Sequence, residues 1–285
     1  MIARQMRTRP RAAGRTAALV GAGLLWLAGP AGADEIKVMT SGGFTAALTE
    51  LAPAFERATG HTVVTTYGAS LGGAPDSIPS RLRRGEPADI VILASEALDD
   101  LVGQGRVVAG SRVDLARSSI GMVVRAGAPK PDISSVDALK RTLLQAKSIA
   151  YSASASGVYL STELFQRLGV AAAIAGKSQR IESERVATVV ARGGAEIGFQ
   201  QISELLPVAG IDYVGPLPPE VQRVTVFSAG VAAGAKTPDA ARALIMFLAS
   251  PAAAPAITKS GMEPMSESMR QRGAFVIVKP AMVSR

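Results

Sequence analysis

The stretch Ile36-Lys37-Val38-Met39-Thr40-Ser41-Gly42-Gly43-Phe44, followed by a helical pattern through Arg57, decides the fold. It reads as a short apolar strand, a turn of small residues, and a helix whose N-terminus opens on that turn. The first amides of a helix have no intrahelical acceptor and lie at the positive end of its dipole, so the turn favours an anion. Gly42 and Gly43 permit close backbone approach, and the Ser41 hydroxyl can donate or accept. From these residues alone, an ordinary serine-capped turn reads equally well.

Outward from this stretch, strands and helices alternate. The patterning predicts a helix over 45–58, a strand over 61–67, a short helix over 76–84, a buried strand over 89–93 and a helix over 96–103. Such an order predicts a mainly parallel sheet with helices on both faces. A second set follows: strands over 119–125, 149–151, 195–200 and 211–214, with helices over 135–146, 157–168, 186–192 and 202–206. A long extended segment over 223–233 then precedes helices over 238–249 and 251–259. The expectation is an α/β fold in two lobes, residues 34–118 with 225–285 forming one and 119–224 the other. The chain crosses near 117–124 and again near 221–229, and two crossings act as hinges around a ligand cleft.

Residues 1–33 read as a secretory leader. Arg4, Arg7, Arg9, Arg11 and Arg15 form a basic start without acidic residues, and the apolar run over 16–28 is short for a bilayer span. Ala31-Gly32-Ala33 offers a small-x-small cleavage site. Periplasmic export with cleavage near Ala33 is expected, with a retained anchor as the alternative. The chain carries 31 basic and 23 acidic residues, net +8; without the five leader arginines the balance is 26 against 23, net +3. No Lys/Arg cluster interleaved with aromatics remains, which argues against a nucleic-acid partner. Cysteine is absent and His61 is the sole histidine, so thiolate and multi-histidine metal sites are excluded and no cofactor or metal is expected.

Three more loops fall at strand ends, where α/β sheets bind ligands. Tyr67-Gly68-Ala69-Ser70-Leu71-Gly72-Gly73 is glycine-rich but lacks the Lys-Ser/Thr pair of a phosphate loop. Tyr151-Ser152-Ala153-Ser154-Ala155-Ser156-Gly157 places three hydroxyls before a helix, more than one N-cap needs. In Gly198-Phe199-Gln200-Gln201, alternation points one glutamine into the cleft and the other away. Each of the three is also compatible with a plain polar loop.

The order and content of these pieces resemble the periplasmic molybdate-binding proteins of ABC importers and, more broadly, type II solute-binding proteins. The resemblance covers residue 35 to about 265. It rests on Ile36 to Phe44, on Arg84-Gly85-Glu86-Pro87-Ala88-Asp89-Ile90-Val91-Ile92, on Ala155-Ser156-Gly157-Val158-Tyr159, and on Ala195-Glu196-Ile197-Gly198. It implies a two-lobed type II periplasmic-binding-protein architecture, a small anionic ligand between the lobes, an ABC permease partner and a monomer. Ser70 falls where that family has its second ligand serine. Gly42-Gly43-Phe44 stands where the family has Ala-Ser-Leu, and Gln201 replaces a ligand tyrosine. Glycine for serine is expected to enlarge the pocket and glutamine to add a donor and an acceptor. An organic carboxylate therefore stands beside a molybdate- or tungstate-type oxyanion.

The expected ligand contacts are Ser41, Gly42, Gly43, Gly68, Ser70, Ser154, Ser156, Gln200 and Gln201. The expected function is capture and delivery without chemistry, so the chain is read as not an enzyme. A serine-dependent enzyme is the competing class, with no Gly-x-Ser-x-Gly elbow and only His61 as an imidazole base. Glu182, Glu184 and Arg185 read as a loop near a ligand segment, with a backbone contact from Ser183 as the most it offers.

Overall fold

The computed structural model describes residues 32–266 together with 268 and 269. The expected leader lies outside the described residues except for its last two positions. In chain order the elements are β1 (Glu35–Ser41), α1 (Gly42–Thr59), β2 (Thr62–Gly68), α2 (Ile78–Arg83), β3 (Ile90–Ala94), α3 (Ser95–Gly103), β4 (Val113–Ser118) and β5 (Ile120–Arg125). Then come α4 (Val136–Gln145), β6 (Ile149–Ser152), α5 (Ala155–Tyr159), α6 (Phe165–Arg167), α7 (Ala171–Ile174), β7 (Ser178–Ile181), α8 (Val186–Ala191), β8 (Ile197–Gln201), α9 (Ile202–Leu205) and β9 (Ile211–Pro216). The last elements among the described residues are β10 (Thr225–Val231), α10 (Pro238–Leu248), α11 (Ala254–Lys259) and β11 (Glu263–Pro264).

Two sheets result, ordered β11-β4-β10-β3-β1-β2 and β7-β6-β8-β5-β9. The expected parallel order holds at β2-β1-β3 and at β7-β6-β8, whereas the strands on either side of the crossings pair antiparallel. A strand that returns directly from the other lobe needs no helical crossover, so it need not run parallel to its neighbour. The crossing strands lie side by side: Ser118 at the end of β4 pairs with Thr225 at the start of β10.

Burial follows from the strand period. Val38, Ile90 and Ile92 face a core with Phe44, Leu48, Leu51 and Phe55 of α1, while Met39, Val91 and Leu93 face Ile78 and Leu98 on the other side. All five residues of β3 are buried, as a central strand covered on both faces requires. Helix α1 ends at Gly60, whose φ of 79° and amide bond to the Glu56 carbonyl (2.8 Å) make a left-handed cap. The Ala88-Asp89-Ile90 motif has a structural task. Buried Asp89 accepts the amide of Lys37 at 2.8 Å with one oxygen and those of Lys236 and Thr237 at 2.6 and 3.2 Å with the other.

The short strands β4, β7 and β11 were not expected from the sequence. Val113–Ser118 and Ser178–Ile181 carry polar residues and little burial contrast, so no period-two signal arises. The helix expected over 157–168 is divided: five residues, Leu160–Leu164, form a wider π turn between α5 and α6. No single described helix is long and apolar enough to cross a membrane.

Candidate functional site

The cleft between the two sheets collects loops from strand ends. From the first sheet it receives Gly42 and Thr45 of α1, Tyr67, Gly68 and Ala69 at the end of β2, and Asp76. From the second it receives Ser152 and Ala153 after β6, the segment 181–185 between β7 and α8, Gln200 of β8 and Glu204 of α9. The space measures about 190 Å³, below the range of drug-sized sites and suited to a small polar molecule. The lobes touch across it, where the Ser183 hydroxyl donates to Asp76 Oδ1 at 3.2 Å.

Electrostatically the cleft is built around one buried acid. Glu204 sits in the short helix Ile202-Ser-Glu-Leu, 8% exposed. Burial pushes its carboxyl up to about 7, against the opposing charge of Arg185 and a hydrogen bond with Gln200. The Gln200 oxygen in turn accepts the Val186 amide at 2.9 Å, which fixes its orientation. The other acids of segment 181–185 are occupied: Glu182 with Arg180 at 3.2 Å and Glu184 with Arg192 at 2.6 Å. Arg192 holds Glu184 below the usual carboxylate range. Arg185 makes no ion pair among the described residues, so its charge is available to the cleft.

The expected contacts divide into three groups. Gly42, Gly68 and Gln200 line the cleft. Ser41, Gly43, Ser154 and Ser156 belong to the same turns but do not line it. Ser41 is buried at the N-cap of α1, makes no capping bond, and its Oγ has no partner among the described residues. Ser154 caps α5 through its backbone alone, and Ser156 Oγ lies 3.1 Å from the Oγ of Ser152, which is the serine of this loop that lines the cleft. Gly43 has no free space above it, because a Cβ there would fall on the Phe227 ring.

The third group needs correction. Ser70 is 1% exposed and its Oγ accepts the Ala94 amide at 3.0 Å, tying the β2 loop to β3 instead of lining the cleft. Gln201 points away from the cleft to the crossing strands, where its amide meets the Thr225 hydroxyl at 2.8 Å. The alternation of β8 separates the two glutamines in this way. The expected enlargement of the pocket at the glycine turn is also reversed: Phe227 fills the space over Gly43, and Glu204 that over Gly42.

Sequence reading missed Glu204, Thr45 and Asp76, while Arg185, Ser152 and Tyr67 lie in loops it read as close to the ligand without naming them as contacts. A signal existed for Glu204, a lone carboxylate followed by Leu205 and Leu206 in the short helix directly after the glutamine pair. His61 lies beyond the start of β2, a strand length of roughly 20 Å from the cleft at its other end. Its Nδ1 accepts the Asp34 amide at 3.1 Å and its ring stacks on Phe55, so it cannot serve a serine nucleophile at the cleft. Among the described residues no group of three His, Asp or Glu side chains is placed to hold a metal.

The family model for bacterial extracellular solute-binding proteins matches residues 36–263. The chain belongs to that family. Membership carries an extracytoplasmic location, and it accords with the two-lobed α/β architecture. A Pseudomonas protein named aconitate isomerase is 50% identical over 230 residues, 81% of this chain and 88% of its own. The molybdate-binding protein ModA of Azotobacter vinelandii is 31% identical over 196 residues, 67% of this chain and 73% of its own. The solved periplasmic molybdate-binding protein of the same organism superposes with a TM-score of 0.65 at 23% identity, over 81% of this chain and 100% of its own. That likeness establishes the shared fold.

The half-identical relative overturns one expectation. It carries the name of an enzyme, so the reading of this chain as not an enzyme is corrected. The solute-binding fold had suggested capture without chemistry, but a fold hosts unrelated functions and the site decides.

Proposed function

We propose that this chain is an isomerase acting on a small unsaturated tricarboxylate of the aconitate type, held between its two lobes. The observation that carries the reading is Glu204: a buried carboxyl on the cleft wall, poised at about 7. A general base works best with a pKa near the operating pH, and an ordinary glutamate is too weak for a carbon acid.

Aconitate carries a carbon–carbon double bond beside a methylene that itself bears a carboxylate. Glu204 as carboxylate takes one methylene proton, and the electron pair spreads over the three-carbon unit. The same proton returns from Glu204 to the carbon at the other end, and the double bond shifts by one position. Both ends carry the same substituent, so the product is aconitate again, now free to have the other double-bond geometry. No oxidant or reductant enters the balance. The negative charge that develops is met by Arg185 and by the free amides at the start of α1.

The test is direct. Purified protein is incubated with cis-aconitate and proton NMR follows the trans isomer. Appearance of the trans isomer supports the reading; no conversion above the buffer rate contradicts it. A thermal-shift series against molybdate, tungstate and sulfate separates the oxyanion alternative, for which the 31% identical relative is the support. We further place the protein in the periplasm with its leader removed near Ala33, as a monomer. Family membership also supports docking of the ligand-bound form on an ABC permease.

A further inference from the structure

Gly42 has no room for a side chain, although its backbone would accept one. It opens α1 and is not among the glycines with positive φ, so no left-handed conformation requires it. A helix is favoured by alanine over glycine, which makes glycine here a cost to the helix. The constraint is space. A Cβ at 42 would fall on Glu204 Oε1 and lie 2.9 Å from Glu204 Cδ. Glu204 belongs to the other lobe, and its helix is pressed into place from a second side, because Ile202 and Leu206 crowd Gly261. The carboxyl is thus aimed at the first turn of α1 by contact between the lobes.

We propose that Gly42 is a positioning residue for Glu204. Its missing side chain is the seat where the carboxyl meets α1, and filling that seat leaves a cleft that holds its tricarboxylate without isomerising it. This deepens the isomerase reading and rests on it. The glycine therefore separates turnover from capture within one fold. Elsewhere in the cleft a Cβ meets backbone: at Gly68 it would strike the Asp76 carbonyl, which cannot move aside. At Gly42 it meets only the end of a flexible side chain, so the chain folds and Glu204 swings away.

Gly42→Ala tests this. Turnover of cis-aconitate is expected to fall roughly 10²-fold or more, while trans-aconitate binding by calorimetry stays near the wild-type value. The acid-limb midpoint of kcat/KM is expected to drop toward an ordinary carboxyl value, because a displaced Glu204 is better hydrated. Adding Glu204→Asp, shorter by one methylene, to Gly42→Ala is expected to regain part of the lost kcat. If Gly42→Ala is insoluble, Glu204→Asp alone draws the carboxyl back from α1 and is expected to give the same loss and the same downward midpoint. Wild-type kcat and midpoint in Gly42→Ala, or in Glu204→Asp where that variant stands in, overturn the proposal. Glu204→Gln separates the failures. If it is inactive while Gly42→Ala is unaffected, only the role of Gly42 falls; if it is fully active, Glu204 is not the base and the role of Gly42 falls with it, whereas the isomerase reading falls only if wild-type protein converts no cis-aconitate.

Discussion

The side-chain amide of Gln201 stands 2.8 Å from the hydroxyl of Thr225, fastening the end of β8 to the strand by which the chain re-enters the first sheet. In the amide orientation that satisfies both ends, the oxygen accepts from Thr225 and the nitrogen faces Ser118 Oγ at 2.9 Å and the carbonyls of Ser118 and Ser119 at 3.2 and 3.3 Å. One buried side chain therefore touches both crossings and adjoins the helix that carries Glu204. Gln201→Leu strands these groups without partners. It is expected to cost on the order of 1–3 kcal/mol, read as a lower urea midpoint, and to loosen the hinge, read as a larger ligand-free radius of gyration by X-ray scattering. An unchanged midpoint and radius contradict the clamp.

Gly157 is a position of shape. A Cβ there would fall on the Ser152 carbonyl, which is backbone and cannot yield. Gly157→Ala is expected to destabilise by about 1–3 kcal/mol or more. Gly176, with nothing near its missing Cβ, is the control, and Gly176→Ala is expected to stay within about 0.5 kcal/mol of wild type. Equal midpoints for the two variants contradict this account.

Glu204 links stability to pH with a definite sign. Its folded pKa of about 7 lies above the 4.5 of an unperturbed carboxyl. The native state thus binds more protons across that window, and stability falls as pH rises through it. At pH 8 the penalty is complete, on the order of 3 kcal/mol from the size of the shift; below pH 4.5 it is absent. Glu204→Gln, which carries no charge, is expected to gain over wild type at pH 8 and to lose that gain toward pH 4.5. Urea unfolding of both proteins at the two pH values checks it, and a gap no wider at pH 8 contradicts the burial argument.

Arg185 is the cation that faces the cleft without an ion pair among the described residues. Arg185→Gln is expected to weaken trans-aconitate binding by about 1.5–3 kcal/mol, the range of a charged hydrogen bond. It also removes the charge that opposes burial at Glu204, so the acid limb of kcat/KM is expected to move above 7. Unchanged affinity by calorimetry and an unmoved pH limb contradict this assignment.

The strand, turn and helix at Ile36–Phe44 were legible because their signal is local: an apolar run, small residues, then a 3.6-residue period. The glutamine pair was legible in part, since alternation sends one residue inward but does not say which. What fills the space over a glycine is not local. Phe227 and Glu204 reach Gly43 and Gly42 from far along the chain, and only the folded arrangement shows that two apparent openings are filled. Glu204 was obscured for the same reason: in sequence it is one acid among 23, and its burial against the other lobe makes it unusual.

The central claim is that Glu204 moves the proton. It is tested most directly by following cis-aconitate through proton NMR at pH 8 with wild-type protein and with Glu204→Gln, beside a calorimetric titration of each with trans-aconitate. The account predicts conversion by wild type, and in the variant retained binding with a rate lower by roughly 10²-fold or more. Conversion by Glu204→Gln at the wild-type rate would contradict it.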